Sequence, residues 1–136
     1  MEQIRLIQLP KFVDVRGNLS FVEQDSHIPF RVKRTYWIYD VPGGENRGGH
    51  AFRQNDEFII ALSGAFDVVI DNGYERKVVT LNRSYYGLLV PKGYWREMQN
   101  FSTNSVALIL SSVDYDRSDY IEDYFEYKKY IQRGGK

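Results

Sequence analysis

Short apolar runs separated by turn-forming residues dominate the chain. The clearest are Leu19 to Val22, Val32 to Tyr39, Glu57 to Leu62, Ala65 to Ile70, Lys77 to Leu81, Tyr86 to Val90 and Ser105 to Ser111. Each has the length of a β-strand. Between them stand Asp14-Val-Arg-Gly17, Val41-Pro-Gly-Gly44, Ser63-Gly64, Asp71-Asn-Gly73, Asn82-Arg-Ser84 and Pro91-Lys-Gly93, all rich in residues that accept turn geometry. Asp71-Asn72-Gly73 is the strongest hairpin signal, because Asn and Gly tolerate the positive φ of a tight turn. Regularly spaced short strands predict an all-β antiparallel sandwich or barrel.

The C-terminus breaks this rhythm. From Ser118 to about Gln132, Tyr120, Tyr124, Tyr127 and Ile131 fall at spacings of 4, 3 and 4, the period of one helical face. A short terminal helix is expected there. Ser118 would cap it, Asp119, Glu122 and Asp123 suit its positive end, and Lys128, Lys129 and Arg133 suit its negative end before Gly134 stops it. The tyrosine stripe is read as packing against the barrel, with hydroxyls at the rim.

Composition narrows the picture. At 136 residues and 43% hydrophobic content, one domain over 1–136 with a filled core is expected. Eighteen basic and eighteen acidic residues cancel, so no global field draws the chain to nucleic acid or to an anionic membrane. The absence of cysteine excludes disulfides, thiol nucleophiles and thiolate metal sites. No apolar stretch has the length of a signal peptide or of a membrane span, and a cytoplasmic location is expected.

The chemistry concentrates in two segments. Gly44-Glu-Asn-Arg-Gly-Gly-His50-Ala-Phe52-Arg-Gln-Asn-Asp-Glu57 through Gly64 resembles the first cupin motif, with Phe52 in the place of its second His. Pro91-Lys-Gly93-Tyr-Trp-Arg96-Glu-Met-Gln-Asn100 resembles the second, with Arg96 in the place of its His. The resemblance implies a cupin, or jelly-roll, barrel. Cupins that bind metal gather three His and one Glu on one ion, and only His50 and Glu57 remain here. Arginine stays protonated with no lone pair to offer and phenylalanine has none, so no metal and no cofactor are expected. A guanidinium beside the vacated position instead favours an anion.

Over about residues 4 to 131 the chain also resembles the WxcM-like, FdtA-type sugar 3,4-ketoisomerases that act on dTDP-4-keto-6-deoxyglucose. The likeness is carried by Asp14-Val-Arg-Gly17, Ile28-Pro-Phe30, Val32 to Asp40, Arg47-Gly-Gly-His50-Ala51, Leu62-Ser-Gly64, Val69 to Gly73, Tyr94-Trp95-Arg96-Glu97-Met98 and the tail from Asp114 to Tyr130. It implies that a ketone moves from C4 to C3 of a dTDP-linked 4-keto-6-deoxy sugar without a redox cofactor. It also implies a homodimer, whose N-terminal segments before Gly17 can exchange, and a product used for 3-amino-3,6-dideoxy sugars of surface polysaccharide. A related nucleotide-sugar epimerase and a non-catalytic sugar-nucleotide binding module are the alternatives.

Roles follow from chemistry. A neutral imidazole near neutral pH can take a proton from C3 and return one at C4, which makes His50 the candidate base. Arg96 or the Tyr36 hydroxyl can stabilise the charge on the enediol oxygens, and Glu57 can orient a neighbour. A pyrophosphate is best held by arginines, and Arg16 and Arg47, both beside glycines, rank ahead of Arg34 and Arg53. The flat face of thymine asks for an aromatic partner among Trp95, Trp37 and Tyr36. His27, in a loop beside Ile28-Pro29, is given no role. Where the family shows His-x-His, this chain has His50 and Phe52, so one imidazole must serve both carbons.

Overall fold

Side chains alternate along each strand, and this alternation sorts them between an interior and two outer faces. The computed structural model describes residue 1 and residues 3–135. Its strands are β1 (Arg5–Gln8), β2 (Lys11–Phe12), β3 (Leu19–Ser20), β4 (Arg34–Ile38), β5 (Arg47–Phe52), β6 (Glu57–Ser63), β7 (Phe66–Asp71), β8 (Arg76–Leu81), β9 (Tyr86–Val90), β10 (Trp95–Gln99), β11 (Val106–Ser111) and β12 (Tyr120–Ile121). One α-helix among the described residues, α1 (Tyr124–Gln132), follows. The expected antiparallel jelly-roll barrel with a short C-terminal helix is what forms.

Two five-stranded sheets, ordered β1-β9-β6-β11-β4 and β12-β5-β10-β7-β8, face each other, while β2 and β3 pair as a separate hairpin. Ile59, Leu88 and Ile109 from the first sheet meet Val68, Ile70 and Met98 from the second and close one part of the interior with an aliphatic core. Burying each such side chain contributes roughly 1.5–3 kcal/mol. The intervening residues of β6, Phe58 and Ile60, turn outward against Leu9, Ile28 and Phe30 of the N-terminal segment. On the opposite flank Ala51, Trp95 and Ile121 are covered by Tyr127 and Tyr130 of α1. Both sheets are therefore apolar on two faces, which explains the near-continuous apolar run Glu57 to Ala61.

Between β7 and β8 the expected hairpin forms. The Asn72 side chain accepts from the Tyr74 and Glu75 amides at 2.9 and 2.8 Å, and Gly73 takes φ +94°. Besides the two-residue β2 and β12, three strands escape the apolar pattern. β1, β5 and β10 carry Arg5, Gln8, Arg47, Arg96, Glu97 and Gln99 and depend on pairing with their neighbours rather than on apolar alternation. The runs at Leu19 to Val22 and Val32 to Tyr39 shorten to Leu19–Ser20 and Arg34–Ile38.

The helix expected from Ser118 begins only at Tyr124, where the Asp123 side chain accepts from the Phe125 and Glu126 amides. Ahead of it, Asp116 rather than Ser118 caps a short 3₁₀ turn. The Asp119 carboxylate leaves the helical path to accept the Gln54 and Asn55 amides at 2.6 and 3.1 Å. Tyr120 and Ile121 then pair with Phe52 and Ala51 as an edge strand. Two amide hydrogen bonds, the one from Asn55 buried, and a strand pairing outweigh the modest helix propensity of this stretch.

Candidate active site

The site begins with a register. β5 and β10 pair so that His50 lies directly opposite Arg96, which places the two side chains on the same inward face. Phe52 follows two residues on along that face, and Tyr120 is its partner on β12. Gly48 precedes His50 on the same face with φ +76°, and a Cβ there would run into Arg96 Nη1. Glycine at this position is what lets the guanidinium lie across the strand.

The facing sheet supplies the counter-charge. Arg96 Nε donates to Glu57 Oε1 at 2.8 Å, and both side chains are only 1% exposed. Arg96 Nη2 donates to the Tyr36 hydroxyl at 2.8 Å, and that hydroxyl donates in turn to Glu57 Oε2. Burial raises the Tyr36 pKa well beyond its ordinary value, the nearby Arg96 only partly opposing it, so the hydroxyl keeps its proton. Burial works against the charge on Arg96, but Glu57 and Tyr36 overcome it and hold the guanidinium above its ordinary range. Both Glu57 oxygens are thus engaged, and Arg96 is a fixed cation.

Among the described residues three buried side-chain nitrogens have no hydrogen-bond partner: His50 Nε2, Arg96 Nη1 and Arg34 Nε. Unpaired buried polar atoms are uncommon in folded proteins, and here two of them belong to residues lining one cavity of about 630 Å³. Tyr36, Trp37, Arg47 and Tyr120 line it as well. Burial and then the charges of Arg96 and Arg34 lower the His50 pKa to about 2, so the imidazole stays neutral at physiological pH. The His50 ring contacts Phe52 at 4.8 Å and Tyr120 at 5.1 Å between centroids, which walls the cavity with aromatic carbon.

The structure brings His50, Tyr36, Arg96 and Glu57 into one cluster and adds Arg34 and Arg47 at its margins. Arg34 lies against the Tyr36 and Tyr115 rings at 5.3 and 5.5 Å. Arg47, exposed at the start of β5, lines the cavity and makes no ion pair among the described residues. Three expected residues stand elsewhere. Trp95 precedes Arg96 on one strand, so alternation turns it to the outer face, where its indole nitrogen donates to Glu97 at 2.8 Å under α1. Arg53 donates to the Ser118 and Tyr120 carbonyls at 2.9 and 3.1 Å and fixes the approach to β12. Arg16 sits exposed between β2 and β3, paired with Asp14 at 3.0 Å and away from the cavity. Tyr120 is the cavity residue that its spacing assigns to a packing stripe with no functional role, because that spacing matches a helix that starts later.

The cupin resemblance raises a metal, and the donors present do not fit one. Arg96 and Phe52 offer no lone pair, Glu57 is committed on both oxygens, and among the described residues no three His, Cys, Asp or Glu side chains gather to hold an ion.

Comparison with known proteins agrees with this geometry. The family described as FdtA: WxcM-like, C-terminal matches residues 2–132. The chain is 38% identical over 129 residues to the TDP-4-oxo-6-deoxy-alpha-D-glucose-3,4-oxoisomerase of Aneurinibacillus thermoaerophilus, covering 95% of this chain and 93% of that one. The crystal structure of a 3,4-ketoisomerase from Helicobacter canadensis matches with a TM-score of 0.92 at 35% identity, over 95% of this chain and 97% of that one. QdtA, a sugar 3,4-ketoisomerase from Thermoanaerobacterium thermosaccharolyticum in complex with TDP, matches at 0.94 with 32% identity, over 97% and 96% respectively.

Proposed function

The chain belongs to the FdtA family of WxcM-like proteins, and on that premise we propose that it converts dTDP-4-keto-6-deoxy-D-glucose to a dTDP-3-keto-6-deoxyhexose. It is an isomerase, a TDP-sugar 3,4-ketoisomerase. The observation that carries the reading is the unpaired His50 Nε2 beside the unpaired Arg96 Nη1 at one cavity. One atom can accept a proton and the other can meet the negative charge that its removal creates.

In this mechanism His50 takes the proton from C3 and returns one at C4 on the same face. Arg96 Nη1 stabilises the enediol oxygen, and Glu57 and Tyr36 act by holding the guanidinium in place. A positioned base contributes about 10²–10⁴-fold and an oxyanion donor about 10²–10³-fold. Arg47 at the cavity margin and Arg34 against the Tyr36 ring suit the pyrophosphate, and Trp37, 58% exposed, offers a face to thymine. Phe12, Val13, Val15 and Leu19 lie exposed along the β2–β3 hairpin, which supports a homodimer. Among the described residues no helix is long and apolar enough to cross a membrane. We place the enzyme in the cytoplasm, where it would supply 3-amino-sugar synthesis as one domain.

The test is to incubate the purified protein with dTDP-4-keto-6-deoxyglucose in D₂O and follow the ring carbons by NMR. The ketone resonance is expected to move from C4 to C3. Deuterium entering C5 would make the protein an epimerase, and tight dTDP binding with no exchange would make it a binding module. Either outcome overturns the ketoisomerase reading.

A further inference from the structure

Moving a ketone to the neighbouring carbon shifts protons on oxygen as well as on carbon. C3 loses one and C4 gains one, while O4 must gain a proton and O3 must lose one. His50 serves the carbons. The oxygens need a second group that gives a proton and then takes one.

Most of the cavity is already committed. Arg96 remains a cation and exchanges nothing. Glu57 has both oxygens engaged, and Tyr36 spends its only proton on Glu57 while accepting from Arg96. Phe52 has no exchangeable proton. Tyr39 is 60% exposed at the margin, where water competes with it. Tyr120 differs from all of these. Its ring packs on Phe52 at 4.6 Å and lies 5.1 Å from the His50 ring, both between centroids. Its hydroxyl makes no hydrogen bond among the described residues. Tyr120 lines the same cavity as Arg96 and His50. Its backbone is pinned from two sides, by Arg53 at the Tyr120 carbonyl and by Asp119 on the Gln54 and Asn55 amides.

We propose that Tyr120 is the second catalytic residue of this site and that its hydroxyl carries a proton from O3 to O4 of the bound sugar. This rests on the ketoisomerase reading. In the first step the C3–H bond breaks and its proton goes to His50 Nε2. The electron pair forms the C3–C4 double bond, the C4 carbonyl π pair moves to O4, and O4 takes the phenolic proton of Tyr120. In the second step the Tyr120 oxygen takes the proton of the O3 hydroxyl as the C3 carbonyl forms. The double-bond pair then takes the His50 proton at C4. Both side chains return to their starting states, and nothing is oxidised or reduced overall. The transient phenolate shares its cavity with Arg96, whose Nη1 is a donor left unpaired in the resting protein.

The experiment is Tyr120→Phe, which keeps the ring contacts and removes only the oxygen. With dTDP-4-keto-6-deoxyglucose, kcat is expected to fall about 10²-fold while KM and dTDP affinity stay within about twofold and Tm is unchanged. Tyr39→Phe, the control at the margin, is expected to keep kcat within about twofold. An active wild type whose Tyr120→Phe variant keeps kcat within about threefold, or loses only KM, overturns this inference and leaves the ketoisomerase reading standing. A wild type that leaves the substrate untouched overturns both.

Discussion

Two polar clusters flank the sheet β12-β5-β10-β7-β8, one on its outer face and one between it and the facing sheet, and they are built from similar parts. On the outer face Asp71 accepts from the Gly73 amide at 2.7 Å, from Arg76 at 3.0 Å and from the Tyr124 hydroxyl at 2.8 Å, while Glu97 accepts from Trp95. On the inner face Glu57 accepts from Arg96 and Tyr36. Each is a carboxylate, an arginine and a tyrosine. The difference is in what is left over. No buried side-chain atom of the outer cluster lacks a partner, whereas the inner one leaves His50 Nε2 and Arg96 Nη1 unpaired beside a cavity. A closed network holds helix α1 to the barrel, and an open one at a cavity is available to a ligand.

The largest effect expected from breaking this comparison is on the inner side. Arg96→Leu leaves Glu57 buried without its counter-charge, and denaturant unfolding should register a loss of about 3–5 kcal/mol. Turnover should vanish with it.

A second effect comes from pH. Burial and the charges of Arg96 and Arg34 hold the folded His50 below its ordinary value of 6.5, down to about 2. Below about pH 6.5 the unfolded chain therefore binds a proton that the folded chain refuses, and stability falls as pH falls. Between about pH 7 and about pH 5 the wild type should lose about 2 kcal/mol more than His50→Asn, measured by urea unfolding at both pH values. An equal loss in the two proteins would show that His50 is not held neutral.

The smallest effect belongs to the outer face. Trp95→Phe removes one hydrogen bond to Glu97, at about 1 kcal/mol, and should leave kcat and dTDP affinity unchanged. A loss of dTDP affinity in this variant would return Trp95 to the pocket.

These contrasts also show what a sequence carries and what it hides. The barrel was legible because β6, β7, β9 and β11 each end at a turn signal and bury apolar residues on one face or two. His50, Glu57 and Arg96 were legible because motif spacing fixes residues that later share one cluster. Trp95 misled because its motif neighbour is Arg96, although adjacent residues of a strand point to opposite faces. Tyr120 was hidden for a different reason. Its spacing to Tyr124 and Tyr127 mimics a helical face, while the Gln54 and Asn55 amides that hold Asp119 and the pairing with Phe52 decide its conformation from more than sixty residues away along the chain. Arg16 and Arg53 show that an arginine near a glycine or a motif carries no address. Their partners, Asp14 and the Ser118 and Tyr120 carbonyls, are set by loop geometry.

The central claim is that one imidazole moves the proton on carbon. It is tested most directly by placing the wild type and His50→Asn side by side with dTDP-4-keto-6-deoxyglucose in D₂O and following deuterium at C3 and C4 by NMR. The account predicts that the wild type moves the ketone from C4 to C3, with any deuterium confined to C3 of the substrate and C4 of the product, and that the variant, whose dTDP affinity stays within about twofold, gives neither movement nor label. Movement of the ketone at the wild-type rate in His50→Asn would contradict it.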